Sequence, residues 1–198
     1  MLTKQEACRQ FLHIAVGLIT LLLIHLEIIS SFSMLLLIIV GIIASILSKR
    51  IWLPGFSFFL KHLEREEIKT SFPGKGLIFF FIGVLLSIKL FEPDIAYAAI
   101  IILTFGDSVS HLVGSGIGKL KNIFNGNSRK LFEGTLAGTI AGFCGAIFFV
   151  SPTEAFLASF AAMVAEVIQI DFNKNTLDDN LVVPLIAGTV IVLMRIYL

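Results

Sequence analysis

Seven apolar runs dominate the chain, at about 10–29, 32–48, 76–92, 95–116, 132–150, 153–170 and 180–198. A helix needs roughly 20 apolar residues to cross a bilayer, with about 17 as the lower limit, so each run is a candidate span. In hydrocarbon every backbone N–H and C=O must be satisfied within its own segment, which makes these runs helices. Hydrophobic residues make up 57% of the 198 and charged residues only 15%, too few to cover the surface of a soluble domain. The expectation is an all-α polytopic membrane protein with about seven transmembrane helices, forming one domain over 1–198. The apolar run after MLTKQEACRQ lacks a small-residue cleavage pattern, so it reads as a span and not a signal peptide. Two cysteines, Cys8 and Cys144, cannot make a disulfide framework and read as free thiols with packing roles.

The charges orient the bundle. With the N-terminus in the cytosol, only Lys89 and Arg195 of the 15 Lys and Arg fall on the outer side. Short loops obey the positive-inside rule, so the N-terminus is expected in the cytosol of a prokaryotic cell membrane. A six-span count, with 32–48 re-entrant, breaks this asymmetry. The turn at 29–32 makes an antiparallel hairpin of the first two spans. Asp94 is a candidate N-cap after Glu92-Pro93, and Ser151-Pro152-Thr153-Glu154 reads as a capping box with proline at the first helical position. Pro184 falls in the first turns of the last span, where it relaxes the local hydrogen-bond ladder. Residues 56–68 read either as an amphipathic interfacial helix or as a cytosolic connector with a solvated face.

The stretch 104–138 carries the chemistry. Counting from Asp94, Asp107 lies about 20 Å into a core roughly 30 Å thick, nearer the cytosolic face. An acid at that depth is expensive and marks a functional place. Asp107, His111, Gly114 and Gly118 recur at helical spacing, so acid and imidazole share a face and the glycines leave room for a bulky group or a close backbone. His111 by itself reads equally well as a packed interfacial histidine. Lys119, Lys121, Arg129 and Lys130 follow in a loop rich in Asn, Gly and Ser, and Glu133 opens the next helix. Gly134, Gly138 and Gly142 form a small-residue face suited to close helix packing, either within the chain or across a homodimer.

Further polar groups collect on the same side: Arg9 and His13; Lys75 between two glycines; Glu166; and Asp171, Asp178, Asp179 and Asn180 before the last span. Asp178 and Asp179 are either helix caps or ligands. Carboxylates beside basic groups suit Mg²⁺ held partly by substrate phosphates, and no Cys/His spacing supports zinc. Acids spread across the full membrane depth would suit a small ion or proton-coupled transporter instead; here they gather on one side, and no inverted repeat is evident.

The run Gly106-Asp107-xxx-His111-xx-Gly114-xxx-Gly118-Lys119-x-Lys121, then Lys130-x-x-Glu133-Gly134-Thr135, resembles the CTP-dependent lipid kinases. That group includes dolichol, phytol and yeast-type diacylglycerol kinases and is related to phosphatidate cytidylyltransferases. Asp179-Asn180-Leu-x-x-Pro184, Glu166, Arg9-x-x-x-His13 and Pro73-Gly74-Lys75-Gly76 resemble further blocks of the group, in order along nearly the whole chain. Two places depart from its pattern: Leu131-Phe132 stand where a serine is usual, and Arg9-Gln10 where a basic pair is expected. The long C-terminal signature of the cytidylyltransferases has no counterpart, which favours phosphoryl transfer over transfer of CMP to a lipid phosphate.

The resemblance implies CTP as donor, Mg²⁺ as cofactor, and a membrane lipid alcohol of the polyprenol, dolichol or diacylglycerol type as acceptor, with no nucleic-acid partner. It implies phosphate contacts from Gly114, Gly118, Lys119, Lys121, Lys130, Gly134 and Thr135. Metal ligation falls to Asp107 with Glu133 or Asp179, and a carboxylate or His111 would take the alcohol proton. Arg9, His13, Lys75, Glu166, Asp178 and Asn180 stand nearby without a fixed role.

Overall fold

A computed structural model describes residues 2–53, 60, 72–119, 132–168, 171–172 and 175–197. Its helices are α1 (Lys4–His25), α2 (Ser31–Ser48), α3 (Lys75–Leu90), α4 (Pro93–Ile101), a π-helical segment (Ile102–Asp107), α5 (Ser108–Ile117), α6 (Phe132–Ala146), α7 (Pro152–Ile168) and α8 (Asp179–Tyr197). α4, the π segment and α5 run on as one rod, Pro93–Ile117. Two short strands, β1 (Asp171–Phe172) and β2 (Asn175–Thr176), pair antiparallel before α8, with Asp171 opposite Thr176. The fold is therefore an all-α bundle with one small hairpin. Among the described residues, four helical units, α1, α2, the rod and α8, are long and apolar enough to cross a membrane. The region 56–68, apart from Leu60, and the loop holding Lys121, Arg129 and Lys130 lie outside the described residues.

Local chemistry sets most helix ends. Thr3 and Ser30 cap α1 and α2 by accepting from the N–H of Glu6 and Ser33. The expected capping box is present: Ser151 N–H donates to Glu154 Oε2 at 2.8 Å, and Glu154 N–H to Ser151 Oγ at 3.4 Å. Two expectations need correction. Pro93 occupies the first turn of α4, so the N-cap is Glu92 and Asp94 lies inside the helix. The first hairpin turns at 26–30, earlier than 29–32. There Glu27 takes φ 57°, Glu27 N–H bonds Ile24 O at 3.0 Å and Ile28 N–H bonds Leu23 O at 2.9 Å. This is a Schellman ending with a glutamate where glycine is usual.

The rod is the axis of the bundle. In its most apolar stretch 72% of residues are buried, against 22% for α1, 17% for α2 and 33% for α8. α1, α3, α6, α7 and α8 all pack on it, while α2 lies outside against α3. Small residues allow the close approaches. A side chain on Gly17 of α1 would run into Thr104, and one on Gly138 of α6 would meet Gly106 O at 2.6 Å. α7 turns its Ala155, Ala158, Ser159 and Ala162 face inward. Pro184 has no N–H for the Asn180 carbonyl, and Gly83 of α3 lies directly against that oxygen. This contact pins α3 to the start of α8. Both cysteines are free as expected, but both are exposed, so neither serves packing.

Candidate metal centre

Four side chains from three helical units converge at the end of the bundle where α3, α6 and α8 begin. Asp107 closes the π segment, His111 follows one turn later on α5, Glu166 stands in the last turn of α7, and Asp179 opens α8. One ligand-capable atom from each lies within 4.8 Å of all the others. His111 Nε2 is 3.5 Å from Asp107 Oδ1. Asp107 is buried and Glu166 almost completely so, at 1% exposure.

Each position has a local cause. Glu166 continues the inward face of α7 at helical spacing from Ala155, Ala158, Ala162 and Met163, so packing that face drives the carboxylate inward. Asp107 is aimed by the π turn, a feature that often accompanies functional sites and changes the direction a regular α-helix would give its next residue. The Thr104 hydroxyl bonds Ile100 O at 2.8 Å within this irregular stretch. α6 packs closely on the rod beside this stretch: a side chain on Gly134 would meet Ser110 O at 2.6 Å.

Three carboxylates and an imidazole this close repel one another unless protons or a cation lie among them. The helix dipoles sharpen the point. Asp179 gains from the N-terminus of α8, but Glu166 sits at the C-terminal, negative end of α7. Oxygen-rich, buried and drawn from separate helices, the set can coordinate a divalent metal ion.

The remaining site residues divide. Glu133 is not one of the four donors; its Oε1 accepts the Lys119 N–H at 2.8 Å, tying the end of α5 to the start of α6. Glu166, expected nearby without a fixed role, is one of the four, and the Ala/Ser stripe on which it lies was the signal available. Gly118 ends α5, and Gly114 faces the Gly134 backbone, a close helix contact. Thr135 is buried on the same helix as Gly134. Lys121 and Lys130 lie outside the described residues. Beside the cluster, Lys75 Nζ is 3.4 Å from Asp178 Oδ2, and Asn180 Nδ2 donates to Asp178 Oδ1 at 2.9 Å. Asp178 also accepts the Asn180 N–H at 3.2 Å, the capping role expected as one alternative. Arg9 pairs with Glu6 at 2.6 Å. His13 packs edge-on against Phe80, ring centres 5.1 Å apart, and lies within the electrostatic reach of Asp107, Arg9, His111 and Asp178.

No family model matches the chain. No solved structure matches it either. Over 191 residues it is 30% identical to the Uncharacterized protein MJ1137 of Methanocaldococcus jannaschii, covering 94% of this chain and 93% of that one, and the chain belongs to the same family as that protein.

Proposed function

We propose that this protein is a CTP-dependent lipid kinase of the membrane, phosphorylating a lipid alcohol at the cytosolic interface. The observation that carries the reading is the buried convergence of Asp107, His111, Glu166 and Asp179 at one end of an apolar bundle. In this reading all seven helical units span the bilayer and the N-terminus is cytosolic. The centre then opens on the side that holds most of the Lys and Arg. The order of motifs resembling the CTP-dependent lipid kinases supports the same assignment.

Asp107, Glu166 and Asp179, with His111 beside them, would hold Mg²⁺. A metal ion there neutralises charge on the transferred phosphoryl group and its leaving phosphate. Lys119, Lys121 and Lys130 would supply the positive charge that grips phosphates, with Lys75 beside Asp178. His111, half-exposed beside buried Asp107, is placed to receive the acceptor hydroxyl's proton. Most of the rate comes from positioning two substrates of opposite solubility, the donor from water and the acceptor from lipid.

The test is turnover by the purified protein in phospholipid vesicles with labelled CTP, Mg²⁺ and a panel of isoprenoid alcohols, diacylglycerol and phosphatidate. CDP release with a phosphorylated alcohol is the expected result. Pyrophosphate release with formation of a CDP-lipid would reassign the chain to CMP transfer. No product from any lipid, with either CTP or ATP, would overturn the reading.

A further inference from the structure

His13 of α1 carries a ring nitrogen, Nε2, that is closed off from solvent and has no hydrogen-bond partner among the described residues. An unmatched polar atom is costly in such a place, and in a folded chain it calls for a partner from outside.

Contacts along α1 give its register against the rod. The His25 ring meets the Tyr97 ring edge-on, with centres 5.9 Å apart, and Gly17 lies directly against Thr104. Residue numbers fall on α1 as they rise on the rod, so the two run antiparallel. Eight residues along α1 correspond to seven along the rod. His13 is one turn beyond Gly17 on the same face of α1, and the same step from Thr104 reaches Asp107 and Ser108. His111 lies seven residues beyond Thr104, on the stripe of the rod that also holds Asp107. The imidazole accordingly has Asp107, Arg9, His111 and Asp178 within electrostatic reach, and buried Phe80 of α3 holds its ring edge-on.

His13 faces Asp107 and His111 without joining the four side chains whose donor atoms lie within 4.8 Å of one another. Mg²⁺ takes about six ligands, and Mn²⁺ suits the same oxygen-rich sites. Four protein donors therefore leave about two positions for oxygens from outside the chain, each about 2 Å beyond the ion. A histidine one layer further out is suited to hold such an oxygen and not the ion itself.

We propose that His13 is a positioning residue of the metal centre, its Nε2 hydrogen-bonding an oxygen ligand that the cation brings from outside the chain. The role rests on the metal centre and not on lipid phosphorylation. That oxygen belongs to water or to a phosphate. Both present the same chemistry to an imidazole, which accepts from the first or donates to the second according to its tautomer. Outer partners of this kind orient the ligands of an ion and contribute about 10–100-fold in metal affinity.

The experiment titrates Mn²⁺ into the purified full chain in detergent, read by electron paramagnetic resonance, with and without inorganic phosphate. His13→Phe keeps a flat ring beside Phe80 and removes the nitrogens. It should weaken Mn²⁺ binding roughly tenfold while melting no lower than the parent. His13→Gln, which returns an amide near the Nε2 position, should recover most of that affinity. A loss of equal size with and without phosphate assigns the oxygen to water; a loss seen only with phosphate assigns it to the phosphate. Unchanged affinity in His13→Phe under both conditions overturns the proposal. So does a lower melting temperature with affinity intact, which marks a packing role.

Electron–nuclear double resonance on the parent protein carrying ¹⁵N-histidine needs no variant, and it decides if His13→Phe fails to fold. One imidazole, that of His111, is expected on the ion, with a second, weakly coupled one beyond it. Two directly ligated imidazoles would make His13 a fifth ligand and overturn the outer role, as would one ligated imidazole with no second coupling. A parent protein that binds no Mn²⁺ removes the metal centre and this role together. Binding with the expected His13 signature, but no lipid phosphorylation, removes the kinase reading and leaves this role standing.

Discussion

The same three helical units bring charges together at both ends of the bundle, and the two ends treat them oppositely. At the end away from the centre, the rod offers Asp94, α7 offers Glu154 and α8 offers Arg195. The guanidinium joins them: Nη2 donates to Asp94 at 2.7 Å and Nε to Glu154 at 2.8 Å, with Glu92 at 3.5 Å. Each charge there also suits its helix dipole, acids in first turns and the cation in a last turn. At the other end the rod, α7 and α8 contribute Asp107 with His111, Glu166 and Asp179, so α8 supplies an acid where it supplied a cation before. Glu166 also sits against its dipole. One end ties helices through a single guanidinium; the other gathers three carboxylates and an imidazole in a set that can coordinate a divalent cation.

Substitutions at the two ends should therefore fail in different ways. The largest effect is expected from Glu166→Gln, with Asp107→Asn close behind. Each should lower turnover on the order of 100-fold or more, with helical content and melting temperature retained, in a vesicle assay titrated with Mg²⁺. Glu133→Gln, which loosens the α5–α6 tie, should keep most activity; a loss equal to that of Glu166→Gln would return Glu133 to the metal. Gly83→Val comes next. Its side chain collides with the Asn180 carbonyl, and the displaced start of α8 should cost about 1–3 kcal/mol and misplace Asp179. Thermal unfolding in detergent together with a metal titration checks both parts.

Arg195→Ala should destabilise by about 1 kcal/mol, because it removes the guanidinium that joins Asp94 and Glu154, yet leave metal affinity unchanged. A fall in metal affinity as large as that of Glu166→Gln would erase the contrast between the ends. The smallest effect is a gain: Glu27→Gly relieves the left-handed residue ending α1 and should stabilise by about 1 kcal/mol, read as a higher melting temperature.

Much of this frame was legible in the chain. The apolar runs match the helices, because long apolar helices are encoded by length and hydropathy. The Ser151–Glu154 box and the packing role of Gly134, Gly138 and Gly142 follow from short-range geometry. The Arg195 clamp was not legible, since its partners lie 41 and 101 residues away. Nor was the π turn, because no residue type in Ile102–Asp107 demands it. Asp107, His111 and Asp179 were singled out from burial cost and resemblance, and the fold brings them together. Glu166 was noted without a role, because proximity in sequence favoured Glu133 and only helix packing brings residue 166 beside residue 107.

The most direct measurement is Mn²⁺ binding to the purified protein, followed by electron paramagnetic resonance, with Mn²⁺ standing in for Mg²⁺ at an oxygen-rich site. One bound ion per chain is expected, lost in Glu166→Gln and in Asp179→Asn and kept in Glu133→Gln and Arg195→Ala. Absence of binding in the parent protein, or equal binding in all four variants, would contradict a metal centre at Asp107, His111, Glu166 and Asp179.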